Sequence, residues 1–252
     1  MIQFSVLGET YRLATDIEAI CLFGSVARGD NDENSDIDLL IVVEDCDEQS
    51  LIDYKAKIIE ELNVPYHWVS LYRKSSIIDM HRYGSYFLWH VKTEGKILFS
   101  KNGFLEKVFT DLPPYNKTRE NLTDYLEVCR DIESSLERDS LTLGYDLSIL
   151  ASIARNTCIA ISYLFGELDF GRITCVEKCL KFLGAQFPFS LGEYEELYKY
   201  RIMETRGYGV VTHISDIDKE LYVREWLLKI ESLLNVALKI EKERGVGNDD
   251  QR

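Results

Sequence analysis

The sequence predicts an α/β domain with a small mixed sheet, followed by an all-α helical bundle. Two short apolar runs, Ile17 to Phe23 and Ile37 to Val43, lie on either side of a Gly-Ser turn and read as strands. The segments after them alternate between helical and strand patterns, as an α/β domain requires. Beyond Pro113-Pro114 the strand signal stops and long helical periodicities take over. The paired prolines break regular structure, so the expected divisions are 1–112, 113–244 and a polar tail over 245–252.

Residues 5–15 are read as a short leading helix interrupted by Gly8. The run from Ile37 is rich in aliphatic and β-branched residues, which favours a buried strand. From Glu48 to Leu62, Leu51, Ile52, Ile58, Ile59 and Leu62 recur at helical spacing, although Glu60 and Glu61 near the end oppose the helix dipole. Val64 to Leu71 reads as a third strand, with Pro65 near its start where a missing amide is tolerated. Tyr86 to Val91 reads as a buried helical turn, followed by a stop at Gly95 and a short strand over Lys96 to Phe99. The second half predicts helices over 119–138, 146–165, 175–183, 193–204 and 217–243, punctuated by glycines in short links. No apolar stretch approaches the ~20 residues of a bilayer span, and the N-terminus lacks a basic segment with a long apolar core, so a cytoplasmic, membrane-free protein is expected.

The chain has 252 residues and a formal net charge of -14. That balance argues against a long nucleic acid as substrate, because such binders carry basic faces that replace phosphate counterions. A small or cationic acceptor fits better. Six scattered cysteines form neither a CxxC nor a Cys/His cluster and read as reduced thiols. Cys175 and Cys179 stand one helical turn apart, where core packing is the simpler reading.

The chemistry concentrates in Phe23-Gly24-Ser25-Val26-Ala27-Arg28-Gly29-Asp30 and Ser35-Asp36-Ile37-Asp38. Alternate residues of a strand share a face, so Asp36 and Asp38 point together while Ile37 and Leu39 turn to the core. Two carboxylates that close repel unless a cation lies between them, and an oxygen-liganded Mg²⁺ is the simplest candidate. Gly24 permits close backbone approach, Ser25 supplies a hydroxyl, and a helix start attracts anions.

This order, G-S-x-x-x-G followed by D-x-D, resembles the signature of the DNA polymerase beta-like nucleotidyltransferase superfamily. The likeness is strongest with its minimal and kanamycin-type branches that carry a C-terminal helical domain. The resemblance covers about residues 17 to 100 and implies an α/β nucleotidyltransferase domain. It implies that Gly24, Ser25, Arg28 and Gly29 bind a nucleoside triphosphate, with ATP the first choice. It implies that Asp36 and Asp38 are catalytic and hold the metal, and that a nucleoside monophosphate passes to a hydroxyl of a small molecule or protein.

The superfamily supplies a third carboxylate from the next strand, and here His67 falls at that place. Three readings stay open. His67 is a base or a ligand for a softer metal such as Mn²⁺. It marks a lost catalytic step in a nucleotide-binding or antitoxin-like partner-binding protein. Or it is an ordinary strand histidine and the third acid is Glu44, Asp45 or Glu94, of which Glu94 reads more simply as a polar helix end.

In the second half, Arg155-Asn156 lies on a helix suited to a ribonuclease motif of related helical domains, but no histidine follows within reach and RNA cleavage is not assigned. Arg201 and Arg206 end a helix, where interaction with its dipole is the plainer role. The last helix presents a wide apolar surface, including Leu227, Leu228, Ile230, Leu233, Leu234 and Ala237. It suits a bundle core, with a homodimer seam as the alternative.

Overall fold

Phe4 and Val6 are buried while Ser5 between them is exposed, a period of two that builds a strand rather than the helix expected over 5–15. Strand β1 (Ile2–Val6) pairs antiparallel with β2 (Glu9–Leu13) across a two-residue turn at Leu7 and Gly8, φ 51° and 83°. Both angles match the twist of a tight hairpin, and Gly8 reaches its own without strain. In this computed structural model the described residues are 1–31, 36–137, 142–206 and 216–245. They belong to two units, Met1–Asn116 and Lys117–Arg252.

The first unit is built on a four-stranded mixed sheet in the order β5-β4-β3-β6, where β3 is Ala19–Phe23, β4 Asp38–Val43, β5 Val69–Arg73 and β6 Lys96–Ser100. Strand β3 runs antiparallel to β4 and β6, and β4 runs parallel to β5. The mixed sheet bears out the expected fold class. Alternation splits its side chains into two cores. Ile20, Leu22, Leu39, Ile41 and Val69 pack with the hairpin and α2 (Glu48–Leu62), whereas Ala19, Cys21, Phe23, Leu40 and Val42 pack with Ile77, Leu88, Val91 and Leu105. Each fully buried aliphatic side chain of this kind contributes about 1.5–3 kcal/mol of transfer free energy.

Helix α1 (Gly24–Arg28) is a single short element between β3 and the D-x-D strand. Helix α2 forms over the expected range. The Asp47 side chain caps its start by accepting from the Ser50 amide at 2.8 Å, and Asn63, φ 53°, ends it. Glu61, unfavourable by dipole, is retained because it accepts from the Ala14 and Thr15 amides at 2.7 and 3.0 Å and from the Thr15 hydroxyl at 2.9 Å. It ties α2 to the end of the hairpin.

Two helices absent from the sequence reading, α3 (Lys74–Arg82) and α5 (Phe104–Thr110), cover the second face together with α4 (Tyr86–Glu94). The expected strand over 64–71 is shorter. Tyr66–Trp68 forms a tight 3-10 turn, with the Trp68 amide donating to the Pro65 carbonyl at 3.1 Å, and β5 starts only at Val69. Proline at 65 fixes φ at -61° and offers no ladder donor, which favours the turn.

The second unit is all helical among the described residues. It comprises α6 (Thr118–Leu136), α7 (Leu143–Leu164), α8 (Thr174–Leu183), α9 (Leu191–Arg206) and α10 (Asp216–Gly245). Contrary to the expectation that no stretch reaches a bilayer's thickness, α7 is 22 residues long and, by length and composition, long and apolar enough to cross one. Within this unit it is mostly buried, and α6, α8, α9 and α10 pack on it. It is the core helix of the bundle. Ser190 and Glu193 cap α9 reciprocally, Ser190 amide to Glu193 carboxylate at 2.7 Å and Glu193 amide to Ser190 Oγ at 3.3 Å. Leu227, Ile230, Leu233, Leu234 and Ala237 of α10 are buried in the bundle, and Leu228 is exposed. All six cysteines are free thiols. Cys175 and Cys179 are core residues, and Cys179 Sγ donates to the Cys158 carbonyl at 3.3 Å. Gly207 and residues 246–252 of the tail lie outside the described residues.

Candidate active site

The sheet brings four chain segments to one end. Strand β3 leaves there through Gly24, β4 arrives at Asp38, the turn holding His67 leads into β5, and α4 ends at Glu94 ahead of β6. Phe23 pairs directly with Asp38, so the Gly-Ser turn and the second carboxylate meet by strand register alone. Gly24 takes φ +73°, and a Cβ there would stand 2.2 Å from Asp38 Oδ2. The Asp38 carboxylate therefore sits against the Gly24 backbone in a space that only glycine leaves open. Ser25 follows at the head of α1. Its carbonyl accepts from the Gly29 and Asp30 amides at 2.8 and 3.2 Å, and Gly29, φ +85°, closes the helix.

Asp36 precedes β4 with a side chain 23% exposed, and His67 Nε2 lies 3.3 Å from its Oδ1. His67 thus reaches the first carboxylate from a turn, not from the strand interior. Ile37 between the two acids is buried in the first core, which sets Asp36 and Asp38 away from it. Ser35 lies outside the described residues.

The alternative third acids do not join this pair. Glu44 and Asp45 follow the far end of β4, about 20 Å along the strand from Asp38. There Glu44 accepts from Lys74 Nζ at 3.1 Å and Asp45 from the Ser75 amide at 2.8 Å, at the start of α3. Glu94 is at the near end, but its carboxylate accepts from Arg28 Nη1 and lies 2.8 Å from His90 Nε2. Burial pushes the Glu94 carboxyl up, and the bonds from His90 and Arg28 outweigh it and hold the group below its ordinary range. Arg28 also donates through Nε to Asp30 at 3.0 Å. The sequence reading missed this Arg28, Glu94 and His90 group. The one available signal was the i, i+4 spacing of His90 and Glu94.

Two carboxylates at one strand start are hard oxygen donors that fit a divalent cation such as Mg²⁺. Among the described residues no group of three or more His, Cys, Asp or Glu side chains is assembled to enclose a metal ion.

Among solved structures, a toxin-antitoxin with AMP-PNP is similar at 24% identity over 38% of this chain and 74% of that one, with a TM-score of 0.26. A spectinomycin adenyltransferase from Enterococcus faecialis with ATP and spectinomycin is similar at 13% identity over 85% of this chain and 92% of that one, with a TM-score of 0.48. No curated protein sequence matches the chain. The family described as Polymerase beta, Nucleotidyltransferase matches residues 7–103, a range that contains the Gly24-Ser25 turn, both acids, His67 and Glu94. With the mixed sheet and the seating of Asp38 on Gly24, that match makes residues 7–103 a nucleotidyltransferase domain of the polymerase beta-like superfamily.

Proposed function

We propose that the chain transfers a nucleoside monophosphate from a nucleoside triphosphate, ATP in the first place, to a hydroxyl of a small molecule or a protein. The observation that carries this reading is the Asp38 carboxylate packed on Gly24, where a Cβ would lie 2.2 Å from Oδ2, with Asp36 and His67 at the same sheet end. The room that Gly24 leaves is taken by the Asp38 carboxylate, and Ser25 and Gly29 line the turn that would receive the triphosphate. Asp36 and Asp38 would hold Mg²⁺, which supplies charge neutralisation at the phosphates when bound.

The chain's own residues contribute positioning and electrostatics, the main sources of catalysis in phosphoryl chemistry. His67 Nε2 lies 3.3 Å from Asp36 Oδ1 and donates to that carboxylate, which leaves Nδ1 as the ring nitrogen that can take the proton of the attacking hydroxyl. The donor's α-phosphorus bonds to that oxygen while its bond to the bridging oxygen of pyrophosphate breaks. Nucleotidyl transfer to the hydroxyl with pyrophosphate release is the expected chemistry.

His67 also supports a second reading, a degenerate nucleotide-binding or antitoxin-like protein, because an imidazole adds no negative charge where the superfamily uses a carboxylate. Incubation with α-labelled ATP, Mg²⁺ or Mn²⁺ and a panel of hydroxyl acceptors separates the two. Label transfer lost in Asp36→Ala and reduced in His67→Asp supports the enzyme with a working histidine. Transfer that arises only in His67→Asp supports the degenerate protein.

A further inference from the structure

We propose that Glu94 is a positioning residue for the Gly24-Ser25 turn and acts through Arg28. The inference rests on the nucleotide-binding reading of that turn. Arg28 is the last residue of α1, a helix of five residues and too short to hold itself. Its guanidinium is committed on two sides, Nε to Asp30 at 3.0 Å and Nη1 to Glu94. Glu94 is the deep partner: its side chain is 8% exposed against 27% for Arg28.

A carboxylate that buried is costly to leave without its cation, so Arg28 stays engaged with Glu94 instead of extending to solvent. His90 completes the group. Its Nε2 lies 2.8 Å from Glu94 Oε2, and its ring meets Phe23 edge-on with centroids 5.3 Å apart. Phe23 is the residue immediately before Gly24. The backbone beneath is equally fixed, since a Cβ on Gly95 would come within 2.2 Å of the Val91 carbonyl and 2.8 Å of Cys21 Sγ. The α4 end therefore grips both flanks of the turn, Phe23 through His90 and Arg28 through Glu94. Arg28 holds the phosphate-receiving turn in shape; it is not itself the phosphate ligand that its place in the motif implies.

The test is calorimetric titration of Mg-ATP into the full chain and its Glu94→Gln, Arg28→Met, Arg28→Lys and Glu94→Gln/Arg28→Met variants, with thermal unfolding of each. Each of the first two changes should weaken ATP binding about tenfold, with the double variant no weaker than the worse single. Arg28→Lys should recover part of the loss. Tighter binding in Glu94→Gln would show an arginine released to touch phosphate, and it would overturn the proposal. Unchanged affinity in Glu94→Gln, or losses that multiply in the double variant, would overturn it as well. Should Glu94→Gln unfold, the arginine variants decide: equal losses in Arg28→Lys and Arg28→Met contradict a latch that a shorter cation can partly restore. Absence of ATP binding in the unaltered chain is a different result, because it removes the nucleotide-binding reading itself.

Discussion

A methyl group at position 24 would meet Asp38 Oδ2 at 2.2 Å on a backbone held at φ +73°. Gly24→Ala should thus cost about 1–2 kcal/mol from the left-handed conformation alone, read as a lowered unfolding midpoint. It should abolish ATP binding by displacing the carboxylate; retained binding would show that Asp38 does not need its seat on the turn. At this scale Gly24, Ser25, Asp36 and Asp38 were legible as a motif because their relations are local or pass through one strand pair. Asp36 and His67, 31 positions apart, meet only through the β4-β5 pairing, yet the superfamily resemblance pointed to His67. Glu94 and His90 were not legible in their roles, because the partner that gives them meaning, Arg28, stands 66 positions from Glu94 and is brought there by the fold.

Among elements, α2 and the five helices of the second unit were legible, since their apolar residues recur at helical spacing. The leading hairpin was misread because Phe4 and Val6 give too short an alternation to outweigh a helical pattern, although Gly8 marked the turn. Helix α3 was missed because only Ile77 and Met80 pack on the core, and α5 because its seven residues give Phe104, Leu105, Val108 and Phe109 little more than one repeat of the helical pattern. The start of α7 carries a testable cost. Asp146 is buried in its first turn and accepts from Thr142 Oγ1 at 2.9 Å. Burial raises its carboxyl above the ordinary 3.8, and the Thr142 hydrogen bond only partly opposes this. The folded state therefore favours the protonated acid. Its contribution is fully present below the ordinary value and is lost as pH rises through the raised one. Asp146→Asn, which keeps an acceptor for Thr142, should raise the melting temperature by ~2 °C at pH 7 and give no gain at pH 3. A gain at both would place the effect in packing instead of charge.

For the whole molecule, the net charge of -14 disfavours long polyanions but leaves one local demand: any triphosphate must be received at a sheet end that already carries two carboxylates. The proposed function therefore predicts that binding depends on a divalent cation. The most direct measurement is calorimetric binding of ATP to the full chain with Mg²⁺, with Mn²⁺ and without divalent metal, against the Asp36→Ala/Asp38→Ala variant. The account predicts binding that needs the metal and disappears in the variant while its thermal unfolding stays intact; binding that is metal-independent or survives loss of both acids, or no binding under any condition, would contradict it.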